Sequence, residues 1–251
     1  MTVEQLWILL PAFFALAALY TSVGHAGASG YLAAMALIGV AAATMRPTAL
    51  ALNILVASFT FYRFWRAGYF NWRALWPFLL GSVPLAALGG SLRLAENLYF
   101  VLAGIALALS AFILGWRAWA GPPPEDPSQN ARIPLAPAVV CGALIGLLSG
   151  LTGTGGGIFL SPIVLLAGWA GPRHTGGITA PFILANSVTA LAAGTATWAS
   201  LPAELPWLVV AVMAGALTGT WLGLTRLSTR WLLAAMGLVL TIAAAKLILA
   251  T

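Results

Sequence analysis

Apolar runs alternate along the chain with short breaks at charges, prolines and glycines. Cutting at these breaks gives ten segments, roughly 6–23, 29–44, 47–65, 74–92, 97–116, 134–150, 155–169, 175–198, 205–225 and 230–250. Segments two and seven hold only about 15 residues, roughly 22 Å of helix against a hydrocarbon core near 30 Å, so each is expected to be short or broken. The other eight are long enough to cross. One polar stretch, Gly121 to Arg132, carries three successive prolines and the pair Glu125 and Asp126. It divides the segments five and five, giving a first unit over 1–119, a linker over 120–133 and a second unit over 134–251.

Composition makes the environment of these segments plain. Of 251 residues, 61% are hydrophobic and 6% charged, with a mean hydropathy of +0.99, whereas a soluble domain carries about 25% charged residues. The chain therefore reads as an all-α polytopic membrane protein, with the lipid bilayer as its solvent and no room for a soluble catalytic domain. Its net charge of +6 comes from basic residues scattered singly between apolar runs, which is not the basic stripe of a nucleic-acid binder. Cys141 is the single cysteine, so neither an intrachain disulfide nor a Cys-x-x-Cys metal set is available, and no cofactor is expected. Glu4 and the lack of Lys or Arg before Leu6 do not fit the positive start of a cleaved signal peptide, so the first run reads as the first helix.

The basic residues orient the chain. If all ten segments cross, Arg63, Arg66, Arg73, Arg117, Arg132, Arg173, Arg226 and Arg230 share one face, against Arg46, Arg93 and Lys246 on the other, 8 against 3. If the two short segments turn back instead, the split is 5 against 6. The positive-inside rule favours the first arrangement. It puts the linker in the cytoplasm of a cell membrane of the bacterial inner-membrane type and both termini outside. Because five is odd, the second unit enters from the opposite side, and two related halves would form an inverted repeat.

The halves do share a pattern. A shift of 126 places Gly24, Gly27 and Gly30 on Gly150, Gly153 and Gly156, just ahead of the short segments, and a shift of 133 places Asn53 on Asn186. Glycine lets the backbone leave helical dihedrals and a ligand approach closely. A short helix that reaches one surface must begin within the membrane, and opposed halves aim two such starts at the midplane. Each start exposes unpaired N–H groups and about half a positive charge, which favours an anion. The candidate ligand site is therefore Gly27, Ser29 and Gly30 with Thr152, Gly153, Thr154, Gly155 and Gly156, joined by Asn53 and Asn186, whose amides can donate to an oxyanion, and by His25 beside the first cluster. Gly81, Gly89, Gly90, Gly215, Gly219 and Gly223 read instead as helix-packing glycines.

Several of these residues carry a resemblance. Gly153-Thr154-Gly155-Gly156-Gly157, Leu160-Ser161-Pro162 and Asn186 in the second half, with Asn53 and Tyr69-Phe70-Asn71-Trp72-Arg73 in the first, are similar to the sulfite exporter (TauE/SafE) family of membrane permeases. The resemblance implies a multi-pass permease for sulfite, organosulfonates or related sulfur oxyanions, often working outward. The first half departs from the family pattern, with Gly-Ala-Ser-Gly in place of a glycine triplet and Met35-Ala36 where a proline is common.

Two other classes compete. Gly27-Ala28-Ser29-Gly30 matches the Gly-x-Ser-Gly of rhomboid-like intramembrane serine proteases, which need a histidine from another helix to activate the serine. Only His25 and His174 are available. A cation or metal transporter is opposed by the two inward helix starts and by the position of Glu4, Glu96, Glu125, Asp126 and Glu204 at ends or in loops. The sequence thus favours a non-enzymatic anion permease. In a Cys141→Ser background, a cysteine placed in the linker is expected to react with a membrane-impermeant maleimide only in inside-out vesicles, and one at position 2 only in intact cells.

Overall fold

The structure, a computed structural model, describes residues 1–92, 94–120, 133–194 and 200–225 together with 237, 238, 240–242, 244, 245 and 248. The linker residues 121–132, Arg93, Arg226, Arg230 and Lys246, which the sequence uses to orient the chain, lie outside the described residues. Among the described residues the fold is all helix, with α1 Val3–Ser22, α2 Ala28–Leu37, α3 Ala42–Arg66, α4 Trp72–Ser91, α5 Glu96–Ala120, α6 Leu135–Thr152, α7 Gly157–Leu166, α8 Pro172–Ala193 and α9 Leu205–Thr225. The described residues from 237 onward are also helical. Among the described residues, six helices are long and apolar enough to cross a membrane.

Local chemistry fixes several of the boundaries. Thr2 and Gln5 form a capping box ahead of α1, and the Asn71 side chain accepts from the Arg73 N–H to start α4. The short segments are shorter than their expected 29–44 and 155–169. α2 and α7 have 10 residues each, about 15 Å of helix and half a hydrocarbon core. For α2 the difference lies at Arg46 and Pro47, read from sequence as a break. α3 instead starts at Ala42 and carries Pro47 within its second turn, where the missing N–H costs one early hydrogen bond that a membrane helix can do without.

Helix directions follow from the contacts. The Gln5 side chain of α1 donates to the Ile38 carbonyl just past α2 at 3.3 Å, so α2 ends beside the start of α1 and the chain has crossed and returned. α7 leads instead to α8, whose first turn meets the turn between α3 and α4 through Arg173 Nη1 and the Tyr69 hydroxyl at 3.2 Å. Arg63, Arg66, Arg73 and Arg173 gather at that face. α2 and α7 therefore run toward opposite faces, and each returns to the face from which its preceding long helix set out.

Glycines bring the long helices together in pairs. On α6, a methyl group at Gly142, Gly146 or Gly150 would strike the Phe78, Ser82 or Ala86 carbonyl of α4, and on α9 one at Gly215, Gly219 or Gly223 would strike Phe14, Ala18 or Ser22 of α1. Backbone thus meets backbone along two glycine stripes of four-residue spacing, the close approach that drives helix association where lipid removes the hydrophobic drive. α3 packs on α8 between these pairs, with α2 on α3 and α7 on α8. Gly146→Leu is expected to lower stability by about 1–3 kcal/mol through overpacking, read as a lower unfolding temperature in detergent. Gly115→Ala, which meets open space in a helix, should leave it unchanged or raise it.

Candidate functional site

The two glycine stretches leave helical geometry at defined points. Gly24 and Gly27 in the first, and Gly153, Gly155 and Gly156 in the second, have positive φ, and Gly27 and Gly156 are the residues from which α2 and α7 start. Residues 24–30 and 152–160 are all buried, so both stretches run through protein interior. Neither helix start has a side-chain cap at its first residue. Their first-turn N–H groups must find partners elsewhere.

Asn53 is one such partner. It is the twelfth of the 25 residues of α3 and fully buried. Its Oδ1 accepts from the Ala28 N–H at the start of α2 at 3.0 Å, and its Nδ2 donates to Ser187 Oγ on α8 at 3.4 Å. A methyl group on Gly155 would run into the same Nδ2. One amide half-way along a spanning helix therefore touches the start of α2 and the loop that leads into α7. The second stretch descends along α3 to reach it, with Gly153 against Arg46 and Gly155 against Asn53.

The remaining candidates divide. Thr152 Oγ1 donates to the Leu148 carbonyl at 2.7 Å and lies 3.1 Å from Thr154 Oγ1, so both hydroxyls line the second stretch. Asn186 Nδ2 donates to the Phe182 carbonyl at 3.0 Å, while its buried Oδ1 has no hydrogen-bond partner. Phe182 in turn borders Gly156. Ser29 and Gly30 face α1 instead. The Ser29 hydroxyl donates to the Tyr20 hydroxyl at 3.0 Å, and Gly30 makes room for Leu16 and Tyr20. His25 Nε2 lies 3.0 Å from Ser161 Oγ. Ser29 and His25 thus have separate partners and form no nucleophile–base pair.

Sequence reasoning missed Arg46. It is 8% exposed, and its guanidinium donates to the carbonyls of Gly89 at 2.9 Å, Gly90 at 2.6 Å and Leu92 at 3.1 Å, closing the C-terminal end of α4. A cation suits the negative end of a helix. The signal available was a charge beside a proline inside an apolar run, which was read as a boundary. Ser187, Ser161 and Thr179 were also missed, because isolated hydroxyls in apolar helices usually bond to their own backbone.

The chain matches the family described as Sulfite exporter TauE/SafE over residues 9–247. It belongs to that family. It is also 40% identical over 241 residues to the "Probable membrane transporter protein y4hK" of Sinorhizobium fredii (strain NBRC 101917 / NGR234), covering 94% of this chain and 96% of the relative. No solved structure matches. This TauE/SafE protein is accordingly a membrane transporter, a permease that handles a small-molecule substrate within the lipid bilayer. Asn53→Ala leaves the Ala28 N–H without its acceptor and is expected to cost about 1–2 kcal/mol, and Arg46→Met strips three carbonyls of their donor, a loss of about 1–3 kcal/mol or more. Thermal unfolding of the purified variants in detergent checks both.

Proposed function

We propose that the protein transports a small anion, namely sulfite, an organosulfonate or another sulfur oxyanion, bound where the starts of α2 and α7 converge. The observation that carries this reading is the placement of Asn53, whose amide touches the Ala28 N–H and the Gly155 loop together. Two helix starts directed at one region supply N–H donors and positive partial charge without a formal charge. Thr152, Thr154 and the amides of Asn53 and Asn186 add neutral hydrogen-bond groups, and the orphaned Asn186 Oδ1 gives a protonated oxyanion or its water an acceptor. Gly27, Gly153, Gly155 and Gly156 keep the backbone within reach. In this reading Ser29, Gly30 and His25 support the cradle from behind.

The halves 1–119 and 134–251 form an inverted repeat in this reading, joined by the cytoplasmic linker. The packing supports it. α1 meets α9 as α6 meets α4, α3 meets α9 as α8 meets α4, and α2 meets α3 as α7 meets α8. Substrate sites of inverted-repeat transporters lie between broken helices near the midplane, and rocking one half against the other alternates access. With the arginine-rich face in the cytoplasm and both termini outside, a negative interior pushes outward each negative charge that no accompanying proton cancels, by about 2.3 kcal/mol per 100 mV. Catalysis is no part of the mechanism, and the bacterial-type cell membrane is its location.

The test is counterflow of labelled sulfite, sulfoacetate, thiosulfate and sulfate in proteoliposomes. At least one anion should exchange. Asn53→Asp keeps the acceptor for Ala28 but adds a negative charge between the helix starts, and anion exchange is expected to fall by roughly tenfold or more, as for about 1.4 kcal/mol of repulsion. Normal exchange by this variant, or flux of cations in place of anions, would remove the site assignment.

A further inference from the structure

The interior of this transporter holds few groups able to change charge. The five carboxylates are Glu4, Glu96, Glu125, Asp126 and Glu204. Glu4 is in the first turn of α1, Glu204 pairs with the N-terminal ammonium at 3.7 Å, and Glu96 opens α5. Glu125 and Asp126 lie outside the described residues. His25 is different. It is 5% exposed, and an imidazole takes up a proton near neutrality.

Its surroundings form a hydrogen-bonded chain. His25 Nε2 lies 3.0 Å from Ser161 Oγ in the middle of α7, and Ser161 Oγ lies 2.9 Å from Thr179 Oγ1 on α8. Thr179 in turn borders Gly157, the first residue of α7, where a methyl group would meet its Cγ2 at 2.7 Å. The chain therefore runs from the first glycine stretch to the helix start that the proposed anion site uses. It also joins the halves, since His25 belongs to the first and Ser161 and Thr179 to the second. The backbone holds His25 in place through its N–H to the Tyr20 carbonyl at 2.9 Å, and Gly24 lies directly on Gly176 of α8.

Proton uptake at Nε2 of the Nδ1–H tautomer reverses this chain as one unit. With Nε2 unprotonated, Ser161 donates to the ring and accepts from Thr179. With Nε2 protonated, the ring donates to Ser161, which then donates to Thr179. Among the described residues, α9, whose Gly223 lies on Ser22 of α1, brings no titratable group toward His25. α1 presents Tyr20, whose ring stands edge-on at 6.5 Å, and α2 presents Tyr31, whose hydroxyl donates to the Ala26 carbonyl. α7 has no titratable residue. On α8, Arg173 and His174 lie in the first turn against Tyr69, and on α3, Arg63 and Arg66 lie in the last turn.

We infer that a proton moves with the anion and that His25, through Ser161 and Thr179, is its carrier. The inference rests on the anion reading of the preceding subsection. The imidazolium adds positive charge beside the site while the anion is bound. Loss of the proton on the far side weakens binding and releases the anion, so both cross in the same direction.

The experiment uses voltage-clamped proteoliposomes with labelled thiosulfate or sulfoacetate, neither of which titrates between about pH 6 and 8. Under a pH gradient the wild-type protein is expected to accumulate the label on the alkaline side, up to about tenfold per pH unit for one proton per anion, because the two ratios are the same free energy. His25→Gln keeps a donor toward Ser161 but cannot titrate. It should equilibrate the label without accumulating it. Ser161→Ala, which cuts the chain and leaves the imidazole, should reduce accumulation in the same way and covers the case in which the first variant fails to fold. A purely structural His25 would change the rate and leave the accumulation ratio intact, and that outcome overturns the inference. Wild-type equilibration without accumulation overturns it while leaving the anion reading standing, and absence of any anion movement overturns both.

Discussion

A helix that begins in the interior of a membrane protein leaves its first N–H groups without intrahelical partners, and no lipid can supply them. Everything distinctive here answers that constraint. At α2 the Asn53 amide takes up the Ala28 N–H, and at α7 two successive glycines with positive φ, Gly155 and Gly156, turn the backbone so that it lies against the same amide. Asn53 and Ser187 meet the glycine loop where the two broken helices converge.

The two glycine stripes answer a second demand. Buried irregular backbone is tolerable only if the surrounding helices hold it firmly, and lipid gives them no hydrophobic reason to associate. Backbone contact between α4 and α6, and between α1 and α9, supplies that grip outside the site. Between these pairs the contact of α3 with α8 is bridged by Asn53 and Ser187. A polar, hydrogen-bonded seam at the centre can be exchanged for other hydrogen bonds at small cost, which suits the place where a rocking motion would occur.

Charge is handled with equal economy. The one described arginine that is buried, Arg46, closes the carbonyl end of α4, and the others gather at helix ends. In the anion reading, helix starts and amides would supply the field in contact with the ligand, attracting it without trapping it as a touching cation would.

Much of this was legible in the sequence. Hydropathy marked the helices, and the shortness of two segments together with the glycines ahead of them marked the broken crossings, because span length and glycine freedom are local properties. The matching places of Asn53 and Asn186 along the chain were legible too, but not their different partners, since one amide meets α2 and the other its own helix. The start of α3 at Ala42 was hidden, because a proline reads as a breaker when its place in the turn is unknown. Tertiary structure alone decided that Arg46 caps another helix, that Ser29 faces Tyr20, and that His25 reaches Ser161 across 136 positions of chain. Each depends on which helices become neighbours, and in a chain of similar apolar segments only the close fit of backbone against glycine selects those neighbours.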